Sequence, residues 1–311
     1  MAIPESLGIA SPSTGGSQRQ PFIMQQPKVF ILILNYNGKA TLKQCLQSVY
    51  QLNYPDFEVV VIDNDSKDGS IEEVKNIYSR AHFIKNNKNL GFAAGNNVGI
   101  RFALEKGADY VWLVNNDAKV EKDTLSKLID AGENKPNAGI LSPLILHTET
   151  KNIWFGKGVI DWVSMKTLHI SPPTLLQSFT SEYICGCAML IKKEVFKKIG
   201  LLDEKYFLYY EDADFSVKAS RAGFELWTIS NAHVLHSEAS VNNPEKTYWL
   251  VISGLQFFHE NTPAHLKPWM AIYFQARRVK NYLDCVSGKN LVAKEVRRAY
   301  RDYLTDARSK V

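Results

Sequence analysis

The chain has 311 residues, 45% of them hydrophobic and 22% charged, the composition of a globular protein long enough for one large α/β domain with appendages or two modest domains. Its 37 Lys and Arg against 32 Asp and Glu leave a formal charge of +5, an excess too mild for nucleic acid to be expected as a partner. No stretch reaches the roughly 18 consecutive apolar residues of a spanning helix, so a soluble or peripheral protein is expected.

Residues 1–27 are rich in Ser, Gly, Pro and Gln and contain no apolar run of the kind a signal peptide needs; they read as a disordered leader. Residues 29–34 form a continuous apolar run ending in Asn35-Tyr36-Asn37-Gly38, the pattern of a strand buried on both faces. Helical spacing of Leu42, Cys45, Leu46, Val49 and Leu52 follows over 41–52. A second strand over 57–62 is closed by Asp63-Asn64-Asp65-Ser66, and a helix to about residue 79 comes next. A short strand at 82–85 precedes a glycine-rich helix over 91–104, and a strand at 110–114 ends in Asn115-Asn116-Asp117. Strands alternating with helices imply βαβ units and a mostly parallel sheet, in which ligands bind beyond the carboxyl ends of the strands. The three polar turns lie at those ends, so Asn35–Asn37, Asp63–Asp65 and Asn115–Asp117 are expected around one crevice.

Beyond residue 117 the pattern is more mixed. A helix is expected over 123–133 and a strand over 139–147. A loop-rich insert with Trp154, Trp162, Pro172 and Pro173 spans 148–180. A strand over 183–191, helices over 193–199 and 211–222, and a strand over 225–229 leading to His236 complete this part. From about residue 248, aromatic and basic residues alternate on amphipathic helices. The expected division is a leader to 27, a half binding nucleotide sugar over 28–117, an acceptor-binding and catalytic half over 118–240, and a helical extension over 241–311. Cys45, Cys185, Cys187 and Cys285 make no C-x-x-C pair, which favours a reduced, cytoplasmic setting.

Several of these segments carry chemistry. Asp117 at a strand end offers an oxygen ligand of the type Mg2+ and Mn2+ prefer, although an N-capping Asp at a strand-to-helix turn accounts for the tripeptide equally well. Asp63 and Asp65 are placed to accept hydrogen bonds from a base or ribose, and turn chemistry is the alternative for their neighbours. Asn89-Leu90-Gly91-Phe92-Ala93-Ala94-Gly95-Asn96 fits neither the dinucleotide nor the Walker spacing, leaving close approach to a ligand or tight helix packing. Glu211, Asp212 and Asp214 crowd three carboxylates into one helical turn beside Tyr209 and Tyr210, a setting suited to a general base ahead of the alternative, a helix start with solvated acids. His236 gains a role as a ligand only if the fold brings it to Asp117.

Six segments in order resemble the inverting family-two glycosyltransferases of GT-A fold, most of all the bacterial rhamnosyltransferase-like branch. They are Ile33–Asn37, Val61–Ser66, Asn89–Asn97, Leu113–Asp117, Gly186–Leu190 and Phe207–Asp214. The resemblance covers about residues 28–236 and implies a nucleotide-diphospho-sugar transferase fold: a mostly parallel central sheet flanked by helices, with a C-terminal helical extension. It further implies that Tyr36, with its neighbours Asn35 and Asn37, and Asp63 hold the base, with Asp65 nearby. Asn89, Gly91 and Asn96 would shape the diphosphate and ribose wall. Asn115, Asn116 and Asp117 stand for the DxD-type motif, with Asp117 on Mn2+ or Mg2+ and His236 joining the metal. Asp212 would be the catalytic base and Glu211 its support. Asn115 replaces an Asp common in such motifs, which implies weak metal affinity. The absence of Q-x-x-R-W after His236 argues against a processive synthase. A deoxythymidine-diphosphate rhamnose donor and a glycan or lipid-linked saccharide acceptor are the expected partners. The C-terminal helices are expected to cap the core or pair two subunits, ahead of peripheral contact with the inner face of a membrane. A sugar-nucleotide-forming nucleotidyltransferase and a non-catalytic binding relative are the rival readings.

Overall fold

The computed structural model describes residues 26–171, 178–237, 244–288 and 290–309. The expected leader up to residue 25, and Pro172 and Pro173, lie outside the described residues. Strands are β1 (Val29–Asn35), β2 (Phe57–Asp63), β3 (His82–Lys85), β4 (Tyr110–Val114), β5 (Ala118–Val120), β6 (Ala138–His147), β7 (Ile153–Phe155), β8 (Lys157–Asp161), β9 (Lys166–Ile170), β10 (Phe179–Thr180), β11 (Ala188–Lys192) and β12 (Glu225–His236). Helices are α1 (Leu42–Val49), α2 (Ser70–Lys75), α3 (Gly91–Glu105), α4 (Thr124–Glu133), α5 (Lys193–Ile199), α6 (Glu211–Arg221), α7 (Pro244–Asn261), α8 (Lys267–Ser287) and α9 (Ala293–Ser309).

One sheet runs in the order β10-β12-β6-β11-β4-β1-β2-β3. The ladders β12/β6, β4/β1, β1/β2 and β2/β3 are parallel, and β11 is inserted antiparallel between β4 and β6. β1, β2 and β4 carry the apolar runs because both their faces are covered: Val29 to Ile33, Val59 to Ile62 and Tyr110 to Val114 are all buried. The sheet is continuous across residue 117.

Helix α3 lies close against the ends of β1 and β2, and its glycines make that approach feasible. A Cβ on Gly95 would stand 2.7 Å from Leu34 Cδ1, and one on Gly99 would stand 2.7 Å from Ile62 Cδ1. Gly91, with φ +79°, would place a Cβ 2.3 Å from the Phe207 carbonyl oxygen, where the Phe92 N–H already donates at 2.7 Å. Of the two readings left open for this segment, tight packing therefore explains Gly95 and Gly99. Gly91→Ala combines left-handed strain with a backbone clash and is expected to cost about 3 kcal/mol. In thermal denaturation, that would appear as a drop of about 10 °C.

Four expectations need correction. The insert over 148–180 is not chiefly loop: β7 pairs antiparallel with β6, and β8 and β9 form a separate hairpin. The hairpin is braced from the C-terminal side, because Trp269 Nε1 donates to the Val163 carbonyl (2.9 Å) and Trp162 stacks on Phe257 at 5.9 Å. The strand expected over 183–191 begins only at Ala188. Before it, backbone N–H groups bond to α6 side chains rather than to a strand: Ile184 to Ser216 Oγ and Gly186 to Asp212 Oδ2. The strand expected to stop at residue 229 continues to His236 through a bulge between Ile229 and His233. Finally, a short strand unseen in the sequence, β5, follows Asp117 directly.

The helices α7–α9 pack onto α6 and one another. Asp214, the third carboxylate of the α6 first turn, is structural. Its Oδ1 accepts from Asn261 Nδ2 (2.9 Å) and Tyr206 Oη (3.3 Å), and Lys218 pairs with it at 2.6 Å. Arg221 adds two bonds to Asn261. Arg298 covers the Tyr248 ring at 4.1 Å, fixing α9 on α7. Among the described residues, no helix is long and apolar enough to cross a membrane.

Candidate functional site

The carboxyl ends of β1, β2 and β4 are laced together by amides. Asn35, fully buried at the end of β1, donates through Nδ2 to Ser66 Oγ (3.0 Å) and Ser70 Oγ (2.9 Å) and accepts from Asn116 Nδ2 (2.8 Å). Asn64 likewise donates to the Gly91 carbonyl (2.9 Å) and Asn89 Oδ1 (3.2 Å) and accepts from Asn86 Nδ2 (2.8 Å). Two side chains thus satisfy strand-end backbone and polar groups that would otherwise be buried without partners. Asp63 is buried, with Oδ1 accepting the Ser66 N–H. Asn37 takes the Lys67 N–H, and Asp65 pairs with Lys67 at 2.6 Å on the surface. Asn96 donates back to the Phe92 carbonyl inside α3.

Asp117 and His236 come together through strand pairing. β5 runs antiparallel to the end of β12 with Ala118 opposite His236, which places the preceding residue, Asp117, beside the imidazole. His236 Nε2 stands 3.2 Å from Asp117 Oδ1 without the alignment of a hydrogen bond, so this oxygen and the other ring nitrogen, Nδ1, both lack partners. Trp154 lies against the imidazole at 4.7 Å between centroids. A buried carboxylate oxygen without a hydrogen-bond partner, with the imidazole Nε2 3.2 Å away, fits a divalent cation. Among the described residues no third His, Cys, Asp or Glu joins them.

Asp212 approaches from α6. Tyr209 and Tyr210 both have positive φ (+69° and +67°), a conformation costly for aromatic residues, and this double kink swings the chain into the helix. The Asp212 carboxylate is held at both oxygens: Oδ2 accepts from the Gly186 N–H (2.9 Å) and Oδ1 from the Ala213 N–H (2.7 Å). Burial pushes its pKa above the ordinary carboxylate range. Glu211 is more deeply buried, and its Oε2 has no hydrogen-bond partner. Burial first, and then the neighbouring Asp212 charge, push its pKa well up. Two backbone donors favour ionised Asp212 over Glu211, so the pair's last proton resides on Glu211.

Two adjoining cavities share this ground. One, of about 380 Å3, is lined by Asn115, Asp117, Asp212, Glu211 and His236, with Trp154 and Tyr183 among its walls. The other, of about 320 Å3, is lined by Tyr36, Asn64, Asn89, Gly91, Asn116 and Asp117. Asn115, Asp117, Phe92, Leu208 and Lys246 belong to both. Of the residues singled out in the sequence, the fold therefore gathers Tyr36, Asn89, Gly91, Asn115, Asn116, Asp117, Glu211, Asp212 and His236 around one double cleft. Asn35, Asn37, Asp63, Asp65 and Asn96 stand behind it in turn and packing bonds and line neither cavity.

Sequence reasoning missed Asn64, Trp154, Lys246 and Trp249. Asn64 sits in a quoted motif and was legible as a strand-end amide. Trp154 arrives on β7 and Lys246 on α7, outside every motif, and no sequence signal marks either. Trp249, stacked on Phe207 at 4.3 Å, closes the cavity beside Tyr36.

Known proteins resemble this chain in sequence or in fold. The low-salt glycan biosynthesis hexosyltransferase Agl10 of Haloferax volcanii is 25% identical over 221 residues, covering 67% of this chain and 66% of its own length. The dTDP-rhamnosyl transferase RfbF of Shigella flexneri is 22% identical over 244 residues, covering 75% of this chain and 80% of its own. The crystal structure of GalNAc-T7 with UDP, GalNAc and Mn2+ superposes with a TM-score of 0.61 at 18% identity, covering 85% of this chain and 58% of that one. The chain thus spans just under two thirds of the Haloferax protein and a smaller share of GalNAc-T7, and the fold is the GT-A fold expected. With residues 30–200 matching the family model for glycosyl transferase family 2, the chain belongs to that family.

Proposed function

We propose that this chain transfers a sugar, with inversion, from a nucleoside-diphosphate donor to a hydroxyl of a glycan or lipid-linked acceptor. The observation that carries this reading is the double cleft itself. The Asp117–His236 pair stands at the seam of the two cavities, and Asp212 faces the one on the acceptor side. The cavity with Tyr36, Asn64 and Asn89 would take the nucleotide, with Asp63 and Asp65 supporting the turn beneath it. Asp117 and His236 would hold Mn2+ or Mg2+, which supplies charge stabilisation for a departing diphosphate when bound. Asp212, ionised and oriented by two N–H groups, would take the proton from the acceptor oxygen as it attacks the anomeric carbon. Glu211, protonated beneath it, would keep the charge of the pair at one.

The name of the Shigella relative supports a deoxythymidine-diphosphate rhamnose donor, and the UDP and Mn2+ in the GalNAc-T7 structure support a nucleotide with a divalent ion. Family membership disfavours the nucleotidyltransferase alternative. A thermal-shift panel of deoxythymidine, uridine and guanosine diphosphates, with and without Mn2+, tests the reading. At a hundred times its Kd the preferred diphosphate is expected to add about 2.7 kcal/mol, or about 5–10 °C. The shift should be largest for deoxythymidine diphosphate and should require the ion. A flat response to all three, with no release of diphosphate from any sugar nucleotide, would end it.

A further inference from the structure

One face of α8 has no counterpart among the described residues. Trp269, Ile272, Ala276, Val279, Leu283 and Val286 recur at alternating spacings of three and four, so they form a single stripe along the helix. All are exposed, Ile272 at 63% and Val286 at 71%. The opposite side of α8, with Met270 and Asn281, is the one buried in the protein. Trp269 joins the stripe to the β8–β9 hairpin, where Val163 and Ile170 are also exposed.

Beside the stripe runs a groove between α8 and α9. Its walls include Arg278, Lys294 and Arg297, with Tyr282 at the edge; Arg298 and Arg301 also line it but are paired with Glu295 and Asp302. Residues 267–311 hold eleven Lys and Arg against four Asp and Glu, whereas residues 1–266 hold 26 against 28. The basic excess of the chain is therefore confined to this segment.

We propose that the α8–α9 face docks on an anionic lipid bilayer, with the apolar stripe in the interface and the basic groove on headgroup phosphates. Apolar side chains in a row beside a cationic groove match the two layers such a surface presents. A second copy of the chain satisfies only the stripe, since pairing on it would bring two strongly basic segments together. On its other flank α8 also borders the acceptor side of the cleft: a cavity reaching Tyr273, Phe274 and Arg277 shares Thr167, Tyr210 and Leu250 with the cavity of Asp212. This docking is independent of the transfer reaction.

Co-sedimentation of the full chain with phosphatidylcholine vesicles, with and without phosphatidylglycerol, is the test. Binding is expected only with phosphatidylglycerol and should weaken as salt is raised. Arg278→Ala with Arg297→Ala should lower partition roughly thirtyfold, at about a factor of five per cation. Ile272→Asp with Leu283→Asp should abolish it with thermal midpoint unchanged, since both residues are exposed. The nucleoside-diphosphate thermal shift should persist in both pairs of variants, which keeps this result separate from the fate of the transfer reading. Equal binding to both vesicle types, or none, would overturn the proposal. So would an aspartate variant that turns a dimer into a monomer by light scattering without altering partition, which would assign the stripe to a second copy.

Discussion

Asp212→Asn should lower the transfer rate by about 10²- to 10⁴-fold, the range a positioned general base contributes. The substitution keeps the shape and one acceptor oxygen, so the Gly186 N–H can retain its partner, while no basic oxygen remains to take the acceptor proton. Nucleotide binding should stay close to that of the parent chain, because Asp212 lines the cavity away from Tyr36 and Asn89. The assay follows diphosphate release with acceptor present, beside the thermal shift with diphosphate alone. Turnover equal to the parent's would remove Asp212 from the reaction.

Glu211 provides the control on the same helix turn. Its carboxyl, like that of Asp212, carries a pKa raised by burial, so the folded chain holds more protons than the unfolded chain between the ordinary and raised values. Stability contributed this way is complete below the ordinary glutamate range and is lost as pH rises through the folded value. Glu211→Gln should therefore flatten the fall of the melting temperature with rising pH while leaving far more activity than Asp212→Asn. Activity follows the opposite slope: it should fail on the acid side, as Asp212 takes up its proton, at a pH above that of an exposed aspartate.

The strands of the first half and their parallel pairing were legible because buried parallel strands announce themselves. Runs such as Val29–Leu34 and Tyr110–Val114 have no polar interruption, and an amide or carboxylate follows each. The site divided along a physical line. Tyr36, Asp117 and Asp212, which the motifs singled out, line the double cleft. Asn35 and Asn96 share those motifs yet turn out to be braces, because an amide at a strand end can serve backbone or ligand and sequence does not tell which. The part of the chain beyond residue 117 was the less legible. Four of the five β9 residues are exposed and β8 is only partly buried, so the hairpin shows no apolar run, and β5 has three residues, too few to establish a period. Lys246 reaches the seam only through the packing of α7 onto α6, a tertiary event that leaves no local trace.

Asp117→Ala is the second large effect. The residue supplies the carboxylate at the seam of both cavities, and its Oδ1 has no hydrogen-bond partner whose loss would complicate the reading. Removing it should lower transfer about 10²- to 10³-fold, the loss typical of one electrostatic stabiliser aimed at developing charge. It should also make the diphosphate thermal shift the same with Mn2+ as with a chelator, a readout that needs no turnover. His236→Gln should act in the same direction. Its ring also packs against Trp154, so part of any loss there would be structural and would appear as a lower melting temperature without ligand. Asp117, about a quarter exposed, carries no such packing load, and the unliganded melting temperature of its alanine variant should stay near that of the parent. If the Asp117→Ala chain still gained stability from Mn2+ with diphosphate as the parent does, the ion would have to bind elsewhere. The pairing of β5 with β12 would then serve only to close the sheet.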